Sequence, residues 1–302
     1  MITSLLDKKK HFRTFDSLII YFFLLLNILI LLFHDNLPAW ELHFAKHLFI
    51  VVFVAGFVVF MDQQTNPILK FLRNWYPVIS YPFIYKNLLF FLHIIFPGEF
   101  DSMILSLEMS VFGVLPNLWI QRIVNPVLTE IMQISYAVYW FTIPISAALL
   151  YFKNRSKEYE YLIFYVTLTF FISYLFFIFF PVAGPRFTLA NEIVASYDGL
   201  IVTKYLRNFV ASAGFRGGAF PSSHVAVAVV VYFFMYAFER KIALRYFLPA
   251  VIALSLATVY GQYHYLTDMI AGLILGVLIG QTGIKHFKRN EHMESMVASE
   301  AP

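Results

Sequence analysis

Apolar runs of about 17–25 residues recur from one end of this chain to the other, and that pattern leaves few folds open. Inside a bilayer every backbone N–H and C=O must be satisfied within the protein, so only helices and closed barrels can cross. Barrel strands alternate apolar and polar residues and do not give long continuous apolar runs. The expectation is an all-α polytopic membrane helix bundle. Composition agrees: 60% of residues are hydrophobic, 19% are aromatic and only 13% are charged, against roughly 25% charged in a soluble domain.

The runs place candidate spans at 17–33, 47–61, 78–97, 131–152, 159–180, 221–238, 244–261 and 266–284, eight in all. With the N-terminus inside, Lys8, Lys9, Lys10, Arg13, Lys70, Arg73, Lys153, Arg155, Lys157, Arg240, Lys241, Arg245, Lys285, Lys288 and Arg289 fall on the inner side. That is the bias expected of cytoplasmic loops. The expected organisation is N-terminal transmembrane helices over 1–76, a membrane-embedded core over 77–285 and a polar cytoplasmic tail over 286–302. The basic cluster and Ser17–Phe33 read as an uncleaved anchor, because no small-x-small site follows at Phe33-His34-Asp35-Asn36. The Pro-interrupted stretch 98–130 reads as an amphipathic cap at the outer interface, and the last dozen residues as disordered. The setting expected is the cell membrane.

Several chemistries are excluded. There is no cysteine, hence no disulfide, thiolate metal site or cysteine nucleophile. No basic block alternates with aromatics, so nucleic acid is not an expected partner. No clustered aspartates with metal-ligand spacing appear, so neither a metal nor a cofactor is expected.

Three short polar pieces stand at the ends of apolar runs, all on the predicted outer side. Gly184-Pro185-Arg186 closes one run, Gly217-Gly218-Ala219-Phe220-Pro221-Ser222-Ser223-His224 opens a second, and His264-Tyr265-Leu266-Thr267-Asp268 opens a third. His264 and Asp268, four apart, share a helix face. The carboxylate there can accept the ring N–H, fix the tautomer and leave the other nitrogen to attack. Pro221-Ser222-Ser223 reads as a helix start with a Ser cap, whose free N–H groups favour phosphate. His224 there can protonate a leaving alkoxide. Arg186 offers a planar fork for two phosphate oxygens. Gly217 and Gly218 would admit backbone amides close to the same anion.

These pieces resemble the tripartite signature of the type 2 phosphatidic acid phosphatase superfamily, which also includes vanadium haloperoxidases. The family pattern runs Lys-x6-Arg-Pro, Pro-Ser-Gly-His, then Ser-Arg-x5-His-x3-Asp. The resemblance covers about 181–268 and implies a six-helix core. It also implies a phosphohistidine on His264, oriented by Asp268, with His224 protonating the leaving group. Arg186 and Ser222 would hold the phosphate, with Ser223 and Gly218 lining it. The departures are Phe179 for the family Lys, Phe187 for the Pro, Ser223 for the Gly and Thr258 for the second Arg. Arg216 is the first candidate to replace a lost cation, ahead of Lys204 and Arg207. The thinner set is similar to the branch containing inositol phosphorylceramide and sphingomyelin synthases.

The expected activity is cleavage of a lipid phosphoester at the outer leaflet, the partners being a lipid phosphate or phospholipid and the membrane itself. Head-group transfer between lipids is the alternative within enzymes. A transporter or scramblase is the alternative outside them, in which Lys86, Glu108 or Glu130 would matter. Glu108 and Glu130 read more simply as water-exposed residues of an interfacial loop.

Overall fold

A computed structural model describes residues 11–213 and 215–300. Lys8, Lys9 and Lys10 of the predicted inner cluster, and the last two residues of the predicted tail, lie outside that set. The described chain is helical, with one isolated parallel bridge between Val182 and Gly218. It falls into two compact units, one ending at Pro97 and the other beginning at Gly98. The division lies beyond the boundary at residue 76 drawn from the sequence, so the third helix belongs with the first two.

The first unit holds α1 (Thr14–Leu32), α2 (Trp40–Asp62) and α3 (Pro67–Asn87). Asn66 starts α3: its side chain accepts the Ile68 N–H at 2.8 Å, and Pro67 fills the first position, where no N–H is needed. α3 therefore begins well before the span expected at 78–97. It carries Arg73 inward, where the guanidinium meets the buried Asp16 carboxylate of α1 at 2.6 Å; Tyr76 donates to the same carboxylate.

Among the described residues, the second unit is built from seven longer helices and two short turns. α4 (Asp101–Phe112) ends at Gly113, whose φ of 69° lets its N–H return to the Met109 carbonyl. α5 (Pro116–Trp119) follows, and the two limbs, the second extended to Ile123, are bent by 71°. α6 (Pro126–Phe152) repeats the Asn-Pro start, Asn125 accepting from Leu128 N–H at 3.0 Å. Then come α7 (Ser156–Phe179), the single turn α8 (Pro185–Thr188), α9 (Val202–Ala213), α10 (Ser223–Phe238), α11 (Arg240–Tyr260) and α12 (Leu266–Glu300). The predicted disordered tail is instead helical through Glu300.

Among the described residues six helices, α1, α2, α6, α7, α11 and α12, are long and apolar enough to cross a membrane, and the bent α4–α5 pair makes a seventh if taken as one span. The predicted count of eight also included α3 and α10. α3 carries Lys70, Arg73 and Asn74 in its first turns, and α10 has only 16 residues. Outward faces are apolar: Ile131, Ile134, Val138, Phe141 and Ile145 form an exposed stripe on α6 at helical spacing. In water such a stripe would be costly; against acyl chains it is the expected surface. The chain is an integral membrane protein.

Glycine sets the approach of one helix pair. On α12, a Cβ on Gly272 would lie 2.5 Å from the Ser222 carbonyl oxygen, and one on Gly276 2.6 Å from that of Ala226. The four-residue spacing lets α10 and α12 approach backbone to backbone. Their N-termini, each carrying a histidine motif, are thereby brought side by side.

Candidate active site

The three polar pieces are joined through their backbones. Residues 181–184 leave α7 in extended form, and Val182 pairs with the glycine turn: its N–H donates to Gly217 O at 3.2 Å and its carbonyl accepts from Ala219 N–H at 2.9 Å. Gly184, at φ 95°, turns the chain into α8. Arg186 N–H then reaches the Gln262 carbonyl at 3.2 Å, tying the first piece to the third. Ser222 N–H donates to Asp268 O at 3.0 Å, tying the second to the third. The third turn is closed by Thr258, whose carbonyl accepts from both Tyr263 and His264 N–H.

His264 is buried, and its Nδ1 lies 2.8 Å from the Ala219 carbonyl oxygen. A carbonyl only accepts, so Nδ1 carries the proton and Nε2 keeps the lone pair. Burial pushes the His264 pKa down to about 4; the Ala219 hydrogen bond opposes the shift and the Arg186 charge adds to it. The imidazole is thus neutral at physiological pH. Asp268 was expected to accept that ring N–H, but its Oδ2 stands 3.5 Å from Nδ1 and instead accepts the Tyr265 N–H at 2.9 Å. The backbone carbonyl holds the tautomer, and the carboxylate sits just behind it. Asp268 is fully buried, with Oδ1 lacking a hydrogen-bond partner among the described residues.

The His224 ring is centred 6.0 Å from that of His264. Its Nε2 is 3.2 Å from the Tyr136 hydroxyl and its ring packs against Tyr139. Its Nδ1 is buried without a hydrogen-bond partner among the described residues. Arg186 lies over the Phe187 ring at 4.7 Å and the Tyr263 ring at 6.0 Å. Ser222 precedes α10 as its N-cap residue, yet its hydroxyl makes no capping bond and is buried without a hydrogen-bond partner among the described residues. The predicted Ser cap is therefore not formed. Ser223 is buried in the first turn beside it.

The replacement cations are largely engaged. Arg216 reaches the Phe187 ring at 5.8 Å, but its guanidinium forms a two-pronged pair with Glu99 at 2.7 and 2.8 Å. Arg207 donates to the Tyr197 carbonyl, and Lys204 is exposed. Gly218 lies in the bridge, and a Cβ there would meet the Phe215 ring at 2.6 Å, so its smallness serves packing. The positions of the two missing family cations hold an exposed phenyl, Phe179, and a buried hydroxyl, Thr258, bonded to Ser255 O.

The segment 98–130, expected as an amphipathic cap, turns polar side chains inward and leaves apolar ones exposed. Asp101, Glu108 and Asn117 are buried and grip the polar turns. Glu108 accepts the Thr267 N–H at 2.8 Å, and Asn117 donates to the Val259 and His264 carbonyls. Asp101 accepts from Ala183 and Gly184 N–H, the Thr188 hydroxyl and the Tyr265 hydroxyl. Glu130, read as exposed, is also buried and accepts from the 200–203 backbone that opens α9. On α6, Glu130, Gln133, Tyr136 and Tyr139 stand three apart in sequence and all four are buried. That polar period inside an apolar run is the sequence signal for Tyr136, and it stands outside the three motifs. Among the described residues no group of three or more His, Asp or Glu side chains is placed to hold a metal ion.

Residues 102–281 match the family described as the PAP2 superfamily, more than half of the 302-residue chain. The chain belongs to the PAP2 superfamily. The match opens at the second residue of α4 and closes in α12, so it takes in Glu108, Asn117 and all three motif turns and leaves out α1–α3 and Asp101. No curated protein and no solved structure matches the chain. Membership of the PAP2 superfamily supports a phosphatase-type, lipid-related activity for this integral membrane protein.

Proposed function

We propose that this protein cleaves a lipid phosphoester through a covalent phosphohistidine on His264, without a metal ion, on the outer side of the cell membrane. The observation that carries the proposal is one geometry: two imidazoles with ring centres 6.0 Å apart, one tautomer locked by a carbonyl, and the Arg186 guanidinium beside them. In the first step the His264 Nε2 lone pair attacks phosphorus in line and the bond to the lipid oxygen breaks. His224, protonated as the anionic phosphoester binds beside it, gives that proton to the departing alkoxide. The phosphorylated imidazole carries positive charge, which Asp268, 3.5 Å from Nδ1, offsets. In the second step water attacks phosphorus, His224 takes back a proton, and the N–P bond breaks to return neutral His264. Arg186 and the Ser222 hydroxyl serve the phosphate oxygens.

Head-group transfer is the second reading, favoured by the Arg216–Glu99 pair. With Arg216 neutralised, Arg186 is the cation at the site without an ion-pair partner among the described residues, which suits a singly charged diester better than a doubly charged monoester. A lipid hydroxyl would then replace water in the second step.

The test is release of phosphate or head group from a panel of lipid phosphoesters by purified protein in detergent with EDTA, with and without a diacylglycerol or ceramide acceptor. Activity retained in EDTA and lost in His264→Ala is expected; activity that EDTA removes, or that His264→Ala keeps, contradicts the proposal. Turnover that needs the acceptor selects transfer over hydrolysis.

A further inference from the structure

The residues so far assigned to chemistry come from three loops, and the structure contains a side chain that binds two of those loops together from outside all three. Asp101 opens α4, is buried, and spends its carboxylate on them. Oδ2 accepts the Ala183 N–H at 2.7 Å. Oδ1 accepts the Gly184 N–H at 2.9 Å, the Thr188 hydroxyl at 2.8 Å and the Tyr265 hydroxyl at 2.8 Å. The first three donors flank Arg186 on both sides in the chain. The fourth comes from the residue next to His264.

We propose that Asp101 and Tyr265 form a positioning pair that sets the Arg186 guanidinium relative to the His264 imidazole. The proposal rests on the reading of those two residues as phosphate ligand and nucleophile. Two of the four donors are backbone N–H groups that an apolar side chain would leave unpaired, and the same carboxylate also reaches the Tyr265 phenol. Its value lies in direction: the short side chain fixes where α8 begins, and the rigid Tyr265 ring transmits that position to the turn carrying His264. The phenol remains a donor across the working pH range, since burial raises its pKa well above the ordinary value. The rest of the turn is held independently, by Glu108 at Thr267 N–H and Asn117 at the His264 carbonyl. Removing the Tyr265 hydroxyl therefore cuts the side-chain link between the two loops, leaving the Arg186 N–H bond to the Gln262 carbonyl in place, and releases neither loop. Packing in the protein tolerates a Phe there, because only the oxygen is lost.

Tyr265→Phe, Asp101→Asn and the double variant test the pair, each compared with wild type and with His264→Ala. Two readouts are used: turnover of the best lipid phosphoester, and the thermal shift produced by orthovanadate, a phosphate analogue that needs no turnover to bind. Tyr265→Phe is expected to lower kcat about ten- to a hundredfold with KM changed far less, as a displaced near-attack geometry does. It is also expected to weaken the vanadate shift while melting within a few degrees of wild type. The double variant is expected to cost no more than Asp101→Asn alone, the signature of one shared interaction. Wild-type kcat and vanadate binding in folded Tyr265→Phe, or additive losses in the double variant, would overturn the pair. If wild type binds vanadate and the variants bind it weakly, but no ester is turned over, the positioning pair stands and the proposed reaction falls. Wild type that neither turns over nor binds vanadate overturns both.

Discussion

Among single residues, the decisive group is a backbone carbonyl. Ala219 O fixes the His264 tautomer from 2.8 Å, and Asp268, the partner expected from the four-residue spacing, stands further off. Spacing on a helix says which side chains share a face, and it cannot say that a neighbouring loop will bring a carbonyl to the ring N–H. His264 is held neutral, with a pKa near 4 set first by burial. The neutral imidazole is the nucleophile, and a lowered pKa keeps it neutral until the pH falls through the lowered value. The acid limb of kcat/KM, which reports the free enzyme, is therefore expected near pH 4 and not near the ordinary imidazole value of about 6.5. An acid limb at the ordinary value in a steady-state pH profile would mean that the ring is solvated. The same burial opposes folding at low pH: the unfolded chain binds a proton at His264 that the native state does not, so stability falls as pH drops below about 6.5.

Among the elements, two helices and a bent segment do most of the positioning. α10 and α12 meet through Gly272 and Gly276, so the site depends on the absence of two methyl groups one or more turns into the helix that His264 precedes. Gly272→Ala would place a Cβ 2.5 Å from the Ser222 carbonyl oxygen, a contact that forces the helices apart. The expected outcome is a loss of about 1–3 kcal/mol of stability, the usual range for overpacking, together with a fall in kcat larger than that of any substitution on the exposed stripe. A fully active, equally stable Gly272→Ala protein would show that the two histidines are not set by this approach. The element hidden from the sequence was 98–130. Its prolines and mixed polarity look interfacial, and nothing in the spacing of Asp101, Glu108 and Asn117 announces that all three turn inward to bond loops 82 to 164 positions away. By contrast, the three motif turns were legible, because Pro, Gly, Ser and His gathered at the end of an apolar run interrupt a helix and leave polar groups that a bilayer would not tolerate without a use. The fate of Arg216 was not: Glu99, from a distant loop, claims both prongs of its guanidinium.

For the molecule as a whole, the all-helical membrane architecture followed from run length alone, while the number of spans did not. α3 is long enough but carries charge, and α10 is apolar but has only 16 residues, so length and composition alone do not settle either as a span. Within the second unit polarity is consistent. α10 begins at the histidine site and ends at Glu239, which pairs with Lys153 and Arg155. Sixteen residues separate those ends by about 24 Å, close to the thickness of a bilayer core. The proposed outward-facing site predicts that the two ends are reached from opposite sides. Because the chain has no cysteine, single cysteines can be placed without a background. Ser196→Cys, in the loop after Arg186, is expected to react with a membrane-impermeant maleimide on intact cells. Asn154→Cys, in the turn between α6 and α7, is expected to react only after the cells are opened. The reverse pattern would turn the site to the inner side.

Capture of the covalent intermediate decides the chemistry. Wild-type protein would be mixed with the most active lipid phosphoester from the panel, quenched under alkaline conditions that preserve phosphohistidine, digested and examined by mass spectrometry. A phosphoryl or phospho-head-group adduct is expected on His264, absent from His264→Ala and accumulating in His224→Ala where the leaving group is good enough to depart unprotonated. Rapid turnover with an unmodified His264 at every time point would contradict the phosphohistidine and assign the attack on phosphorus directly to water or to the acceptor lipid.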